Sequence, residues 1–250
     1  MTETLVPATE HASPPDLDSA DLPLSHSILP IKPVSLRDQV YEAIRQAIFE
    51  RRLKPGDHIP GQELTELLNV SRTPLREALG LVERDGLVQY IPNRGWFVTK
   101  FTPPEIQEIF FIRSGLENMA ADLMIDRLTE QDYATLEAGI EALGRAIRQG
   151  NAQLRSKLDL DFHRHLVTLS GNRRLLQMWE NIAIQCSMAF NYHTVTIPDY
   201  DHWQGVRDHT AILNALRSRD RAAVHAVNDE INRRVAAQCI EGFLAVEGQK

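Results

Sequence analysis

The sequence predicts a mainly α-helical protein in two parts, an N-terminal winged helix-turn-helix and a C-terminal antiparallel all-helical bundle. Three observations predict it. Residues 53–100 carry a short helical pattern, a tight turn, a second helical pattern, and two short strand-like runs around Pro92-Asn93-Arg94-Gly95. From Thr102 onward apolar residues recur at helical spacing throughout. A length of 250 residues with 43% hydrophobic content suits two domains with ample cores.

Residues 1–32 are rich in Pro, Ser, Asp and Thr, with little apolar periodicity, and are expected to form a disordered tail. The winged domain spans 33–101 and opens with a helix from about Leu36 to Arg51. In the next helix Leu64, Leu67 and Leu68 fall at helical spacing, and Val70 closes the turn as a buried residue would. Ser71 is placed to cap the following helix with its hydroxyl, and Pro74 sits where a missing N–H costs nothing. Leu75, Leu79 and Val82 continue one apolar face, and Gly86 is placed to end the helix in a left-handed conformation. Leu87–Ile91 and Trp96–Lys100 then read as two strands. Arg72, Thr73 and Arg76 occupy the first turn of the second helix, the part of such a unit that meets base edges and phosphates in a major groove. Arginines on a helix are most often plain solvated surface. The whole constellation of turn, capped helix, basic first turn and Arg94-Gly95 wing favours DNA binding.

The bundle, 102–246, begins with Thr102-Pro103-Pro104-Glu105, a capping-box start. A stripe of Ile106, Ile109, Phe110, Leu116, Ala120, Leu123 and Met124 follows, and Thr129 with Asp132 opens another helix that ends near Gly150. Further helices are expected near 152–170, 173–192, 202–218 and 220–246, making six with short connections. Arg113 lies inside the first apolar stripe and needs an anion, either Glu117 one turn on or a ligand carboxylate gripped in a central cavity. In Asp159-Leu-Asp161-Phe-His163-Arg-His165, both Asp159/His163 and Asp161/His165 are i, i+4 pairs, and periodicity does not choose between them. His209 shares a stripe with Val206, Leu213 and Leu216 and should point inward. An aspartate and two histidines meeting in a bundle core would form a divalent metal site suited to zinc or nickel.

The net charge of −7 argues against a generally basic, nonspecific DNA binder, yet its distribution is uneven. Residues 1–31 carry five acids and no Lys or Arg; residues 32–102 carry eleven basic and nine acidic side chains; residues 103–250 carry sixteen and twenty. The only positive segment is therefore the one read as a DNA reader. The two cysteines, Cys186 and Cys239, have no metal or disulfide spacing and fit a reducing cytoplasm, and neither a signal peptide nor a membrane-spanning run is found.

Residues 36–101 resemble the DNA-binding domain of the GntR family of bacterial transcription regulators. The resemblance rests on Leu36-Arg-Asp-Gln-Val-Tyr, Leu53-Lys-Pro-Gly, Val70-Ser-Arg-Thr-Pro-Leu-Arg-Glu-Ala-Leu and Gly86-Leu-Val. It implies operator contacts from Ser71, Arg72, Thr73 and Arg76 and a wing tip at Gly95 in the minor groove. Residues 106–245 are similar to the FCD effector domain of the FadR-type branch, through Phe111-Ile-Arg113-Ser-Gly-Leu-Glu117, Asp159-Leu-Asp-Phe-His163, Ser170-Gly-Asn172 and Asp208-His209-Thr-Ala-Ile-Leu. That resemblance implies metal ligation by Asp159, His163 and His209, with Arg113 lining the effector cavity. It also implies a further histidine on the final helix, where this chain reads Asn228-Asp-Glu-Ile-Asn232. With the helix register shifted by one, Glu230 is the expected substitute, with Asn228 and Asn232 as weaker donors.

The resulting expectation is a ligand-responsive repressor, not an enzyme. It would be a cytoplasmic homodimer on a palindromic operator, released when a small carboxylate metabolite enters the bundle. A metal-dependent hydrolase or lyase is the alternative, since three ligands and an open position resemble catalytic zinc. A ligand-free structural DNA-binding protein is a third, and it would leave Arg113 unexplained.

Overall fold

The structure is a computed structural model in which residues 35–197 and 200–247 are described; the tail expected at 1–32 lies outside them. Among the described residues the order is α1 (Leu36–Phe49), β1 (His58–Ile59), α2 (Gly61–Leu67), α3 (Arg72–Arg84), β2 (Val88–Ile91), β3 (Gly95–Val98), then α4 (Pro103–Met124), α5 (Glu130–Arg148), α6 (Ala152–Leu169), α7 (Arg173–Thr196), α8 (Trp203–Ser218) and α9 (Arg221–Glu247). A winged helix-turn-helix followed by a six-helix bundle is thus the fold.

Local chemistry sets the boundaries. Ser35 accepts the Asp38 N–H and starts α1. The Glu105 carboxylate accepts both the backbone N–H and the hydroxyl of Thr102 at 2.7 Å, and Asp132 does the same for Thr129 at 2.8 and 2.7 Å. Asn151 and Asn172 cap α6 and α7 with their side-chain oxygens. The three strands are antiparallel in the order β1-β3-β2, with Tyr90 opposite Trp96 and His58 opposite Phe97.

Three local expectations are corrected. Leu67 is 78% exposed, because α2 is only two turns long and turns just Leu64 and Leu68 toward the core. Ser71 stands at the N-cap of α3 in extended conformation, but its hydroxyl makes no capping bond. The strand His58–Ile59 was not expected, since a two-residue run carries no readable alternation.

One apolar core runs from the winged domain into the bundle, joining Ile44, Leu79 and Val98 to Phe110, Met188 and Phe243. Helix α7 makes the closest junction. Asn181 donates to the carbonyl of Arg84 at 3.2 Å, the Gln185 side chain covers Gly86, and the Arg51 guanidinium lies 5.2 Å from the centre of the Tyr192 ring. Gly86 has φ +75°, and a Cβ there would meet Gln185 Cδ at 2.7 Å. Gly86→Ala is therefore expected to cost about 1–2 kcal/mol in urea denaturation, from left-handed strain plus displacement of Gln185. Adding Gln185→Ala should recover only the steric part; no loss in the single variant would remove Gly86 from the junction.

Candidate metal and ligand site

Helix α6 offers a face on which Asp159 and His163 lie one turn apart, and α8 brings His209 against it. The His209 ring stacks on Phe162 with centroids 4.0 Å apart and planes 12° apart, which fixes its orientation. His209 Nε2 lies 3.2 Å from Asp159 Oδ1 and 3.2 Å from His163 Nε2. One donor atom from each of the three residues therefore converges, all within 4.8 Å of one another. Of the two i, i+4 pairs in the sequence, only Asp159/His163 enters this cluster; Asp161 instead pairs with Lys157 on the surface.

The protonation states suit cation binding. His163 is buried, and burial together with the nearby Arg113 charge lowers its pKa, so the ring is held neutral. Its Nδ1 lies 3.2 Å from Glu117 Oε1, off the ideal N–H line, which leaves Nε2 as the lone-pair donor facing the cluster. Burial alone would raise the Asp159 carboxyl, but the hydrogen bond and charge of His209 hold it at about 2. Two imidazole nitrogens and a carboxylate oxygen form a borderline donor set of the kind that holds zinc or nickel with positions left open.

Arg113 borders the same cavity, with Phe110, Ser187, Tyr200 and Asn232. Its Nε donates to Glu117 Oε1 at 2.9 Å. The arginine is therefore ion-paired one turn on, as one sequence reading has it, while also bordering the cavity. Glu117 was missed in the sequence as a centre in its own right. It also accepts the indole N–H of Trp179 at 3.0 Å and the Asn232 amide at 3.3 Å. Burial opposes its charge, and Arg113 and His163 overcome this, holding the carboxyl well below the ordinary range. Cys186 also lines the cavity, but burial pushes its thiol up to about 12, so it offers no thiolate.

Glu230 does not reach the cluster. It is exposed and paired with Arg233, because the cavity face of α9 carries Ile231, Asn232 and Val235, and position 230 falls outside that phase. Asn228 is buried but donates to Ser114 and Asn118, leaving Asn232 as the polar α9 residue at the cavity.

At the other end of the molecule Ser71, Arg72, Thr73 and Arg76 are all exposed on the first turn of α3. Gly95 opens β3 with φ +92° beside the tight turn Pro92–Arg94. A Cβ at Gly95 would lie 3.2 Å from the His58 ring, so the bare backbone lets the wing close against β1.

Residues 36–98 match the family "Bacterial regulatory proteins, gntR family", and residues 108–233 match the FCD domain. An uncharacterised HTH-type transcriptional regulator of Bacillus subtilis (strain 168), YdhC, is 31% identical over 77% of this chain and 85% of its own length. The HTH-type transcriptional repressor RspR of Escherichia coli (strain K12) is 28% identical over 78% of this chain and 84% of its own. Among solved structures, E. coli McbR/YncC superposes with a TM-score of 0.70 at 26% identity, covering 83% of this chain and 98% of that one. With a winged reader and a helical domain matched in that order, the chain belongs to the gntR family of bacterial regulatory proteins, in its FCD-bearing form, and is a transcriptional regulator rather than an enzyme.

Proposed function

We propose that the chain is a metal-dependent, ligand-responsive repressor. It acts as a homodimer on a palindromic operator through Ser71, Arg72, Thr73, Arg76 and the Gly95 wing, and a small carboxylate in the bundle releases it. The observation that carries this reading is the meeting of Asp159, His163, His209 and Arg113 at one cavity of α4, α6, α7 and α8. The repressor name of the E. coli relative supports the sign of regulation. A cytoplasmic site of action accords with it, and no described helix is long and apolar enough to cross a membrane.

Charge bookkeeping favours a metal as the partner of the carboxylate. Arg113 is balanced by Glu117, and Asp208 by Arg234 through a two-oxygen contact at 2.6 and 2.7 Å. Asp159, by contrast, has no arginine partner among the described residues, so the cavity keeps a carboxylate that makes it a poor host for an anion. A divalent ion bound by Asp159, His163 and His209 would supply Lewis acidity and reverse that sign. Arg113 would then orient the carboxylate with its planar fork, and Tyr200 and Ser187 offer hydroxyls to the rest of a small ligand. Helix α7 is suited to carry the response, since Ser187 and Phe190 face the cavity while Asn181 and Gln185 hold the end of α3.

Purified protein should contain close to one zinc- or nickel-class ion per chain, and His163→Ala should lose it while Arg113→Ala keeps it. A carboxylate panel read by thermal shift should raise the melting temperature of the metal-loaded wild type only. Both variants should still bind operator yet ignore the effector, and operator should weaken effector binding by the factor with which effector weakens operator binding. A metal-free wild type that still answers a carboxylate would refute the metal half and leave Arg113 as the anchor.

A further inference from the structure

Helix α9 borders the inner cavity through Ile231, Asn232 and Val235, beside the cluster of Asp159, His163 and His209. Ile231 and Val235 lie one turn apart and carry no donor atom. Asn232 is the polar residue of the three, and its amide nitrogen is spent on Glu117 at 3.3 Å and on Asn228 at 3.0 Å. The other carboxylates at the cavity are committed as well. Asp208 meets Arg234 with both oxygens, at 2.6 and 2.7 Å, and Glu117 receives Arg113 and Trp179 at 2.9 and 3.0 Å. Among the described His, Cys, Asp and Glu side chains, only Asp159, His163 and His209 bring their donor atoms together here.

Three protein donors leave a coordination shell incomplete. An ion with five or six places keeps two or three of them for ligand or water. His209 Nε2 stands 3.2 Å from Asp159 Oδ1 and 3.2 Å from His163 Nε2, the spacing of neighbouring places about one ion. Places left open in such a shell suit a ligand that binds through two of its own atoms. The cavity measures about 50 Å³, room for a few waters, so that ligand has only a few heavy atoms.

We infer that the effector is a short carboxylate with a neutral oxygen on the neighbouring carbon, a 2-hydroxy or 2-oxo acid, which supplies two donor atoms because Ile231 supplies none. A carboxylate oxygen and an oxygen on the next carbon close a five-membered ring with an ion. Once the first contact is made the second is intramolecular, so it adds affinity without a second loss of translational freedom. Arg113 takes the remaining carboxylate oxygen with its planar fork. Ile231 and Val235 give the carbon frame an apolar wall. The inference rests on the proposed metal-dependent reading of this site.

Calorimetric titration of the zinc- or nickel-loaded full chain with propionate, lactate and pyruvate tests it. The three acids share one carbon frame and differ only at the second carbon, which is bare, hydroxylated or a carbonyl. Lactate or pyruvate should bind at least about 10-fold more tightly than propionate. Ile231→His puts a fourth donor on the cavity phase of α9, and should raise metal affinity by roughly 10-fold or more while shrinking the difference between the acids to within about 3-fold. Glu230→His, outside that phase on the exposed side, should change neither. Equal binding of the three acids by wild type would overturn the inference and spare the metal-and-carboxylate reading. Unchanged metal affinity in a folded Ile231→His would overturn it too, since α9 would not face an open place. A wild type that binds no metal would overturn both.

Discussion

Glu117→Ala is expected to lower stability by roughly 3–5 kcal/mol, the cost of stranding a buried charge whose partner is removed. Arg113 has a side-chain exposure of 13% and Glu117 of 5%, so water does not replace the lost carboxylate. The Trp179 N–H and the Asn232 amide also lose an acceptor, and Trp179 is fully buried. For a chain of this size such a loss lowers the melting temperature by on the order of 10 °C. Calorimetry together with urea denaturation reads both quantities. The double variant Arg113→Met/Glu117→Leu separates charge from packing, because a buried ion pair replaced by apolar groups of similar volume is commonly neutral. It should recover most of the stability and none of the effector response. A loss below about 1 kcal/mol in Glu117→Ala would mean that the arginine finds another anion or water.

The same carboxylate should matter to the metal. Outer-shell partners of ligating histidines typically change affinity by roughly 10- to 100-fold. Glu117→Gln keeps an acceptor for Trp179 and removes the charge behind His163, so metal affinity should fall even where stability falls little. The proposed metal site and the arginine are thus joined through one residue, although His163→Ala and Arg113→Ala address them separately.

What the sequence made legible follows from what sequence patterns encode. The helices of the bundle were readable because apolar period and caps agree: Thr102 with Glu105, Thr129 with Asp132, and Asn172 after Gly171 each mark a start. The Asp159/His163 pair was readable as spacing, but its choice over Asp161/His165 depends on where α8 crosses α6, a tertiary fact. Glu117 was visible as the i+4 neighbour of Arg113. Its contacts with Trp179 and Asn232 span 62 and 115 residues of sequence and leave no local signature. The failure at Glu230 is different, because the signal was present: Val224, Asn228, Ile231, Asn232 and Val235 already set the inner phase of α9, and 230 is out of it. Chemical suitability as a ligand outweighed helical phase in that expectation.

Arg72→Ala and Arg76→Ala are each expected to weaken operator binding by roughly 1–3 kcal/mol, and the double variant by about the sum. Both side chains are exposed on the first turn of α3, and among the described residues neither has an ion-pair partner. Burial does not use them, so removing them should leave stability nearly unchanged. The Ser71 hydroxyl is likewise uncommitted at the helix N-terminus, where uncapped N–H groups and the positive end of the helix dipole favour a phosphate. Titrations by fluorescence anisotropy at several salt concentrations distinguish the two kinds of contact. An arginine reading a base edge should relax sequence preference at one position of each half-site. One that touches only phosphate should weaken all sequences alike and lower the salt slope by about one. Arg145→Ala, on exposed α5 surface, is the control and should change neither. Unchanged affinity in both α3 variants would remove this helix from the operator interface, because no folded-state defect would be available to mask the effect.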